Sequence, residues 1–409
     1  MDKAPLRILI VGSGGREHAF AWALSKSPLV EKVFCTPGNG GTEQEGSKIM
    51  NCQPTIQPLD FEALVEFAKT AKINLAIPCS DVPIVAAARL EGSKVWAKNF
   101  MVRHGIPTAQ YRSFTDATEA MKYVQNDAIG PLVVKASGLA AGKGVIMPTS
   151  PLEATDAIKN IMVDKVFGQA GDEIVVEELL TGHEISINFI TDGEVLRMFP
   201  AGQDAERILD GNLGLNTGGM GVYAPTSLIT PLQLKEVEKT ILQPTIDGMR
   251  QEGYPFVGFI CIGLMMTNSG PMLIEYNARF GDPQAQTLLP MMDSESDLAE
   301  IIVACTERKL SEVHLGFQDK SAVSVVLASK GYPESYEIGK PISIDTWPTG
   351  LIFHSGTRMV GEDLLTSGGR VIAVVSMSNT LEQAVEEAYE GAQHVTFEGK
   401  YYRSDIGKL

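Results

Sequence analysis

The segment that most constrains the fold is the start of the chain, where an apolar run passes through glycines into a helical pattern. Residues 6–11 are β-rich, the turn 12-GSGG-15 follows, and residues 16–26 have helical spacing. The alternation continues with a strand near Val33, a helix over residues 61–71 and a buried strand over residues 73–77. Strands that alternate with helices in this way predict an open parallel sheet of the α/β class.

Beyond residue 105 the pattern changes from alternation to adjacent strands. Gly105-Ile106-Pro107 ends a predicted helix over residues 91–103. Strands are predicted at residues 131–135, 144–147, 173–180, 184–190, 256–266 and 271–277, with helices at 152–162 and 232–251. Strand signals at 322–328, 350–354 and 370–375 and a helix at 381–389 are typical of a small α+β domain. The 409 residues therefore predict two to four domains.

Composition excludes several classes of function. The net charge of −16 argues against nonspecific binding to nucleic acid or to an anionic membrane. Five cysteines are scattered without a CxxC pair or a Cys/His cluster, which favours a reducing compartment and excludes a zinc site. No apolar run reaches membrane-spanning length, and residues 6–11 are too short for a signal peptide. The sequence predicts a cytosolic protein.

The glycine-rich stretch 135-KASGLAAGKGV-145 predicts a phosphate site, but not a Walker loop. Three residues separate Gly138 from Gly142, and Lys143 is followed by Gly144 instead of Ser or Thr. Because strands flank the stretch, we expect a hairpin whose backbone N–H groups fold over a triphosphate. Lys135 would lie on a strand and Lys143 on the loop. The alternative is a flexible hairpin with a solvated lysine, although four glycines cost stability unless their conformation is needed.

Two further segments have both a functional and a structural interpretation. In 11-VGSGGREHA-19, glycines before a helix, with Arg16, suit a phosphate, but they also suit a tight turn without ligand. The spacing differs from the G-x-G-x-x-G fingerprint, which disfavours a dehydrogenase. In 275-EYNARFGDP-283, Glu275 and Asn277 lie two apart on a strand and suit Mg²⁺, with Arg279 beside them. The alternative is an ordinary polar strand end.

Together these motifs resemble the ATP-grasp superfamily and, within it, the phosphoribosylamine–glycine ligases. The resemblance covers nearly the whole chain and follows the family's order. It rests on 11-VGSGGREHA-19, 37-PGNGGT-42, 91-EGSKVWAKNFM-101, 104-HGIPTA-109, 132-LVVKASGLAAGKGV-145, 216-NTGGMG-221, 275-EYNARFGDP-283 and 396-TFEGKYYRSDIG-407. It implies an α/β and α+β multidomain protein with an ATP-grasp fold. The expected parts are an N-terminal Rossmann-like domain at 1–88, an ATP-grasp domain at 89–300 with a mobile lid at about 112–185, and an α+β domain at 301–409.

The resemblance also implies a reaction in purine synthesis. ATP phosphorylates the carboxylate of glycine, and the amine of 5-phosphoribosylamine attacks the glycyl phosphate to give glycinamide ribonucleotide, ADP and phosphate. Mg²⁺ or Mn²⁺ would accompany ATP, and no nucleic acid or membrane partner is expected. A related carboxylate–amine ligase and an ATP-binding chain with impaired catalysis are the alternatives. Since the family also occurs fused to other purine enzymes, the chain is either complete or part of a longer one.

Site residues follow from the resemblance. For ATP they are Lys94, Lys135, Gly138, Gly142, Lys143, Gly144, the adenine hinge Glu177, Glu178 and Leu180, and the ribose residue Glu184. Glu275 and Asn277 would bind the metal, and Arg279, Asp282 and Asn216 would be catalytic. The substrates would contact Gly14, Gly15, Arg16, Glu17, Asn39, Gly40, Asp204, Gly218 and Gly219.

Three departures from the family pattern affect these expectations. The segment 78-PCSDVPIVAAAR-89 is shorter by about one βα unit. The run QDHKR becomes 203-QDAER-207, so that Glu206 would repel anionic substrates if the basic pair binds them. The run GDPE becomes 281-GDPQ-284 and loses a carboxylate. We expect ligand binding to survive all three more readily than full turnover.

Overall fold

The computed structural model describes residues 4–44, 46–79, 89–140 and 144–408. Two of the predicted nucleotide residues, Gly142 and Lys143, lie outside the described residues, as does most of the shortened segment at 78–89. Within these ranges, no helix has both the length and the apolar character needed to cross a bilayer.

The N-terminal unit has the predicted parallel α/β arrangement. Its elements are β1 (Leu6–Gly12), α1 (Gly15–Ser25), β2 (Val30–Pro37), α2 (Gly40–Gln44), β3 (Ile49–Asn51), α3 (Phe61–Thr70) and β4 (Leu75–Pro78). β1 pairs in parallel with β2 and β4, and β2 pairs with β3. Successive side chains of β1 enter two different cores, Ile8 and Ile10 on one face and Leu9 and Val11 on the other. Burial of both faces explains the continuous apolar run.

A small sheet with its own core forms the next unit. It follows α4 (Arg89–Gly92) and α5 (Lys94–Arg103) and contains β5 (Tyr111–Phe114), α6 (Ala117–Asn126), β6 (Leu132–Ala136), β7 (Val145–Ile146), α7 (Pro151–Ile158) and β8 (Ile174–Glu178). The strands are antiparallel in the order β5-β8-β6-β7. The predicted hairpin around the glycine-rich stretch is confirmed, since Lys135 lies opposite Val145. The helix predicted over 91–103 is interrupted at Ser93, whose hydroxyl caps α5 by accepting from Trp96 N.

The next elements of the chain form a second antiparallel sheet, which we call the central sheet. The elements that follow are β9 (His183–Thr191), β10 (Leu196–Met198), β11 (Gln203–Asp204), β12 (Arg207–Leu209), β13 (Leu213–Asn216), β14 (Gly221–Ala224), α8 (Pro231–Val237), α9 (Gln243–Gln251), β15 (Gly258–Thr267) and β16 (Gly270–Asn277). The central sheet runs β10-β9-β15-β16 and is antiparallel. β8 and β9 are neighbours in sequence, yet they belong to different sheets.

The C-terminal sheet includes strands from the middle of the chain. Its region contains α10 (Gln284–Leu288), α11 (Leu298–Thr306), β17 (Ser321–Ser329), β18 (Ser343–Ile344), β19 (Gly350–His354), β20 (Thr357–Val360), β21 (Asp363–Thr366), β22 (Arg370–Ser378), α12 (Leu381–Gln393), β23 (Val395–Thr396) and β24 (Lys400–Tyr401). β14 pairs with β17 and β11 pairs with β14, so the C-terminal sheet reaches into the segment before residue 225. The loops near residues 204 and 221 are thereby fixed by the C-terminal unit.

One hydrophobic core joins the N-terminal unit to the rest of the chain. Phe20 on α1 packs edge-to-face against Phe259 and Phe280. Phe199 packs against Phe280 in turn, with ring centroids 4.8 Å apart. Full burial of one such ring stabilises a fold by about 1.5–3 kcal/mol. This aromatic cluster holds the units in one arrangement around their common cleft.

Two buried histidines lie where the N-terminal and C-terminal units meet. His354 N donates to His18 Nδ1 at 2.9 Å, and the two rings are 5.6 Å apart. Burial, and then the neighbouring His18, lower the pKa of His354 to about 3. His354 is therefore neutral in the folded protein near neutral pH.

We predict that His354→Gln makes the protein less sensitive to acid. Between pH 6.5 and the folded pKa of about 3, the unfolded chain binds a proton at this residue that the folded chain excludes. Folding stability must therefore decrease as the pH falls, by up to about 1.4 kcal/mol per pH unit. Urea unfolding should be measured at about pH 7 and about pH 5. The decrease in unfolding free energy between these pH values should be smaller in the variant than in the wild type by roughly 2 kcal/mol.

The exposed His314 provides the control. Its hydrogen bond to Asp293 raises its pKa, so it adds stability below its unfolded pKa and loses it as the pH rises through the folded value. His314→Gln should leave the acid-induced loss in place or enlarge it. The prediction would be contradicted if the unfolding free energy decreased equally between pH 7 and pH 5 in His354→Gln and in the wild type.

Candidate active site

A cavity of about 510 Å³ lies between the small sheet, the central sheet and the two terminal units. It brings together most of the site residues predicted from the sequence. Those that line it are Arg16, Lys94, Lys135, Gly144, Glu177, Glu178, Leu180, Glu184, Asp204, Asn216, Gly218, Gly219, Glu275, Asn277, Arg279 and Asp282. Segments more than 250 residues apart in sequence therefore meet in one place.

One wall of the cavity carries buried lysines. Lys135 on β6 and Lys98 on α5 each form an ion pair with one carboxylate oxygen of Glu177 on β8, and all three side chains are almost fully buried. Burial opposes the charge of each group. Nevertheless, the lysines lower the pKa of Glu177, while Glu177 raises the pKa of Lys135. Burial lowers the pKa of Lys94, which lies one turn before Lys98. This wall carries net positive charge, as a phosphate site requires.

The opposite wall is acidic. Burial, followed by the charge of Glu275, raises the pKa of Glu184 to about 7. The pKa of Glu206 is raised well above its ordinary value, first by Glu184 and then by burial and Glu275. Burial raises the pKa of Asp204 to about 6. Carboxylates this close to one another bind protons or cations more readily than isolated ones.

The predicted metal pair lies at the end of β16. Asn277 Nδ2 is 3.4 Å from Glu275 Oε1, and Asn277 Oδ1 accepts from Arg279 Nη2 at 3.1 Å. A carboxylate and an amide oxygen are hard donors, and Mg²⁺ commonly takes one or two such ligands together with substrate phosphates. Among the described residues no group of three or more His, Cys, Asp or Glu side chains is arranged as a metal site. The pair fits a Mg²⁺ ion that also takes phosphate oxygens of a nucleotide.

A second cationic region surrounds Asp282, where three units meet. Burial of Asp282 would raise its pKa, but Arg370 from β22 and Arg16 from α1 outweigh burial and lower it. Arg370 Nη2 is 3.1 Å from Asp282 Oδ2, and Nη1 donates to the carbonyl oxygens of Gly218 and Asp282. Gly218 N in turn donates to the hydroxyl of Tyr332. The C-terminal unit thus holds the 216-NTGGMG-221 loop against the cavity.

Gly14, Gly15, Glu17, Asn39, Gly40 and Gly138 do not line the main cavity. Glu17 caps α1, since its carboxylate accepts from Gly14 N and from Arg16 Nε. Gly15 is packed so closely that a Cβ would lie 2.5 Å from Gln286 Nε2. Around α1, the tight-turn interpretation of the glycines therefore has a direct structural basis, and phosphate binding there stays a prediction.

The Asn39 side chain ties two loops to the C-terminal unit. Its Nδ2 donates to Ser13 O at 3.0 Å and to His354 O at 2.8 Å, and its Oδ1 accepts from Gly41 N at 2.9 Å. Asn39 also borders a second cavity of about 320 Å³ next to Thr357. Since the amide group is fully engaged, its most direct contribution to a ligand site is to shape these loops.

Gly138 and Gly40 are constrained by close approach. A Cβ on Gly138 would lie 2.7 Å from Ala170 Cα, and Gly138 N donates to Ala170 O at 3.0 Å. A Cβ on Gly40 would lie 2.4 Å from Leu364 Cδ1. The first glycine of the 135–145 stretch is therefore required by its anchor to the 168–171 turn.

Sequence reasoning left several cavity-lining residues without a role, including four with polar side chains. Lys98, Arg370, Tyr332 and Gln284 line the cavity, but had no assigned role. Lys98 was detectable, because it follows Lys94 by four positions on a helix and so lies on the same face. Arg370 and Tyr332 carry no local signal, since only the tertiary fold brings them to the cavity.

Two of the departures from the family pattern meet in space. Gln284 Nε2 donates to Asp204 Oδ1 at 2.8 Å, and Glu206 lies two residues beyond Asp204. Ala205 and Glu206 are also joined to the glycine loop, because Met220 N donates to Ala205 O and Thr217 N to Glu206 O. These substitutions therefore act on one wall of one cavity.

This architecture, with a nucleotide-sized cleft between two antiparallel sheets, a lysine wall and an acid–amide pair, defines an ATP-grasp protein. Three family models match the chain, one after another. They describe the phosphoribosylglycinamide synthetase N domain at residues 6–95, the ATP-grasp (A) domain at 92–285 and the C domain at 322–409. The chain belongs to the phosphoribosylglycinamide synthetase family.

Individual relatives agree with this assignment. A phosphoribosylamine–glycine ligase of Chlorobaculum tepidum is 43% identical, over 98% of this chain and 99% of its own length. A bifunctional purine biosynthetic protein of Pichia angusta is 46% identical over 98% of this chain, which spans only 53% of that protein. The latter alignment covers 427 positions, more than the 409 residues here, so this chain lacks residues that the relative has.

Solved structures give the same result. The crystal structure of a phosphoribosylamine–glycine ligase from Thermotoga maritima superimposes with a TM-score of 0.84 at 32% identity, covering 98% of this chain and all of that one. The biotin carboxylase domain of a Hydrogenobacter thermophilus 2-oxoglutarate carboxylase, a complex with MgADP, gives a TM-score of 0.73 at 13% identity. The second likeness shows the shared fold alone.

We predict that Arg370→Met destabilises the protein in a pH-dependent way. Loss of the guanidinium group removes the ion-pair partner of the Asp282 carboxylate and the donor to three carbonyl oxygens, at a cost of about 2 kcal/mol at neutral pH. Because the folded pKa of Asp282 is lowered, this stability is present above the unfolded pKa and disappears as the pH falls through the folded value. Urea unfolding at about pH 7 and about pH 3 should therefore show a smaller difference in unfolding free energy between the wild type and the variant at the lower pH.

The surface pair of Arg103 and Glu252 is a matched control, because it is also a two-point arginine–carboxylate contact. Arg103 is 46% exposed, so Arg103→Met should cost less than about 1 kcal/mol. Equal effects of the two substitutions would mean that the Arg370 contacts contribute no more than a surface ion pair.

Proposed function

We propose that this chain joins glycine to 5-phosphoribosylamine at the expense of ATP and forms glycinamide ribonucleotide, ADP and phosphate. The observation that carries the proposal is the convergence of Lys94, Lys135, Glu275 and Arg279 in one cavity of a chain from this family. The cavity supplies cations for the phosphates at one wall and an acid–amide pair for the metal at another. This pattern supports phosphoryl transfer to a carboxylate more directly than hydride or acyl-enzyme chemistry.

In the proposed reaction, a carboxylate oxygen of glycine attacks the γ-phosphorus, and the bond to the β,γ-bridging oxygen breaks to release ADP. The neutral amine of phosphoribosylamine then attacks the carbonyl carbon of glycyl phosphate, phosphate leaves, and the attacking nitrogen loses a proton. The protein contributes by holding the reactants in line and by neutralising charge as it develops. Lys94 and Lys135 would hold the phosphates of ATP, and Arg279 would face the transferring group.

The remaining roles are proposals of the same kind. Glu275 and Asn277 would hold Mg²⁺ or Mn²⁺, which neutralises phosphate charge when bound. Asp282 and Asn216, next to the Gly218–Gly219 turn, would border the acyl phosphate. The backbone from Glu177 to Leu180 would contact adenine, with Glu184 at the ribose. The proposal includes a cytoplasmic location, since all five cysteines are free thiols, and either independent action or action within a longer purine enzyme.

A second candidate function is nucleotide binding with impaired turnover. Glu206 favours it, because this carboxylate faces Glu184 and Glu275 in the cavity that must accept a triphosphate. The raised pKa of Glu206 reports the same crowding of negative charge. Binding of ATP must then be accompanied by proton uptake or by additional cation binding at this wall.

The first prediction for the proposed activity is that ADP forms only when glycine and phosphoribosylamine are both present with ATP and Mg²⁺. The matched variant Glu275→Gln keeps the shape of the side chain but loses its charge. It should lower kcat/KM by about 100-fold or more, equivalent to about 2.7 kcal/mol, because the metal loses its carboxylate. The coupled ADP assay and the unfolding free energy should be measured on the same samples.

Failure of the wild-type chain to release ADP in response to both substrates would reject ligase activity. A loss of unfolding free energy in Glu275→Gln as large as the loss in transition-state stabilisation would mean that Glu275 is structural. A screen of other amines and carboxylates, run in parallel, tests the related ligase with different substrates.

For the second candidate we predict that Glu206→Lys lowers the KM for ATP about tenfold, since it replaces repulsion by attraction near the phosphates. Glu206→Gln separates the two effects, because it removes the negative charge without adding a positive one. It should give an intermediate KM. Fast turnover by the wild type together with an unchanged KM in Glu206→Lys would remove the hypothesis of impairment.

A further inference from the structure

A continuous series of buried and half-buried contacts connects the central sheet to Lys135 of the small sheet. On β16, Leu273 O accepts from Thr108 Oγ1 at 2.7 Å. Thr108 Oγ1 accepts in turn from Lys98 Nζ at 2.7 Å, and Lys98 and Lys135 share the carboxylate of Glu177. We call these four side chains, Thr108, Lys98, Glu177 and Lys135, the buried relay. Its last three members line the cavity, and its first contact lies two residues before Glu275.

The buried relay is held from both sides. Lys98 is 3% exposed, and its position is fixed by α5, whose first turn also binds the start of the glycine-rich stretch. Lys94 N donates to Ser137 O at 2.8 Å, and Val95 N donates to Ser137 Oγ at 3.3 Å. Lys98 therefore belongs to the helix on which the small sheet rests, whereas Glu177 and Lys135 belong to the small sheet itself.

Charge balance shows what Lys98 adds. Two lysines and one carboxylate leave one positive charge, so Lys135 can share its ammonium group between Glu177 and a phosphate oxygen. Without Lys98 the carboxylate would have Lys135 as its remaining cationic partner and would hold it completely. Buried charges interact strongly, and removal of one partner changes the position and the availability of the others.

We infer that Lys98 is a positioning residue for the nucleotide: by holding the second oxygen of Glu177, it keeps Lys135 available to the phosphates of ATP. This inference rests on the proposed function only in taking ATP as the ligand. Lys98 acts through Glu177, and Thr108 acts through Lys98. The buried relay thus also sets the position of the small sheet relative to the strand that carries Glu275.

The test is the affinity for adenylyl imidodiphosphate with Mg²⁺, measured by calorimetry on the full chain. Lys98→Met should raise the Kd by about tenfold. If Lys98 acts through the carboxylate, its substitution should have little effect once Glu177 is already Gln. The Kd values of Lys98→Met/Glu177→Gln and of Glu177→Gln should then agree within about twofold. A tenfold effect in both backgrounds would overturn the inference, since Lys98 would then act on the nucleotide directly.

Thr108→Val provides a milder variant that is closely similar in shape, in case Lys98→Met does not fold. It removes the acceptor of Lys98 and should raise the Kd by about threefold. Thr245→Val is the matched control, because the Thr245 hydroxyl likewise donates to a backbone carbonyl, Ile241 O, and contacts a second polar group, the hydroxyl of Tyr276. It should lower the Tm about as much as Thr108→Val and leave the Kd unchanged. Equal Kd values for Thr108→Val, Lys98→Met and the wild type would reject the inference.

Nucleotide affinity and ligation are separable outcomes. Because calorimetry uses no glycine or phosphoribosylamine, a wild type that binds the analogue but does not ligate would contradict the proposed function alone. If the wild type ligates, Lys98→Met should raise the KM for ATP and leave the KM for glycine unchanged. An increase in both KM values would indicate general distortion of the cavity and would contradict a positioning role.

Discussion

The rest of the site depends on the buried carboxylate of Glu177, which two lysines from different structural units share. Burial of three ionised groups is costly, and the cost is offset only when each charge has partners with good geometry. Glu177 satisfies this condition by pairing with Lys98 on α5 and with Lys135 on β6, while Lys98 also contacts Thr108. The apolar core of the small sheet is separate from the core of the central sheet. Polar contacts at the base of the small sheet therefore determine how it faces the cavity, and a change there alters the site without exposing either core.

A second ionic contact organises the opposite end of the cavity. Asp282 follows β16, Arg16 comes from the N-terminal unit and Arg370 from the C-terminal sheet. Arg370 also binds carbonyl oxygens of the 216–221 loop, and β14, which follows this loop, belongs to that sheet. The cavity consequently has cations at both ends and carboxylates along one wall. Such a distribution favours a polyanion at either end and a cation between them, which is the charge pattern of a metal nucleotide beside a second anionic reactant.

Local pattern was sufficient for much of the fold. Glycines at the ends of elements and the periodicity of apolar residues predicted the parallel N-terminal unit, the hairpin around 135–145 and the strand that ends in Glu275 and Asn277. Spacing along a strand also predicted that Asn277 and Arg279 would be neighbours, and they form a hydrogen bond. Pattern was insufficient where pairing is long-range. β8 and β9 have similar strand signals in the sequence. Their places in different sheets are determined by tertiary packing, which the local pattern does not contain. The arrival of Arg370 at the cavity likewise depends on the pairing of β17 with β22 and has no local signal.

The substitutions at residues 206 and 284 show what the structure adds to a comparison of motifs. In sequence they are two unrelated losses, one of a basic group and one of an acid. In space both adjoin Asp204, where Gln284 donates a hydrogen bond that a glutamate carboxylate lacks the proton to make. Gln284 thus removes a negative charge next to Asp204 while Glu206 adds one two residues away. The acidic wall keeps a similar number of carboxylates, and the carboxylate of Glu206 interacts with that of Glu184. Because the two positions share a neighbour, their effects on nucleotide binding should be non-additive, and substitution of either one alone disturbs a balance set by both.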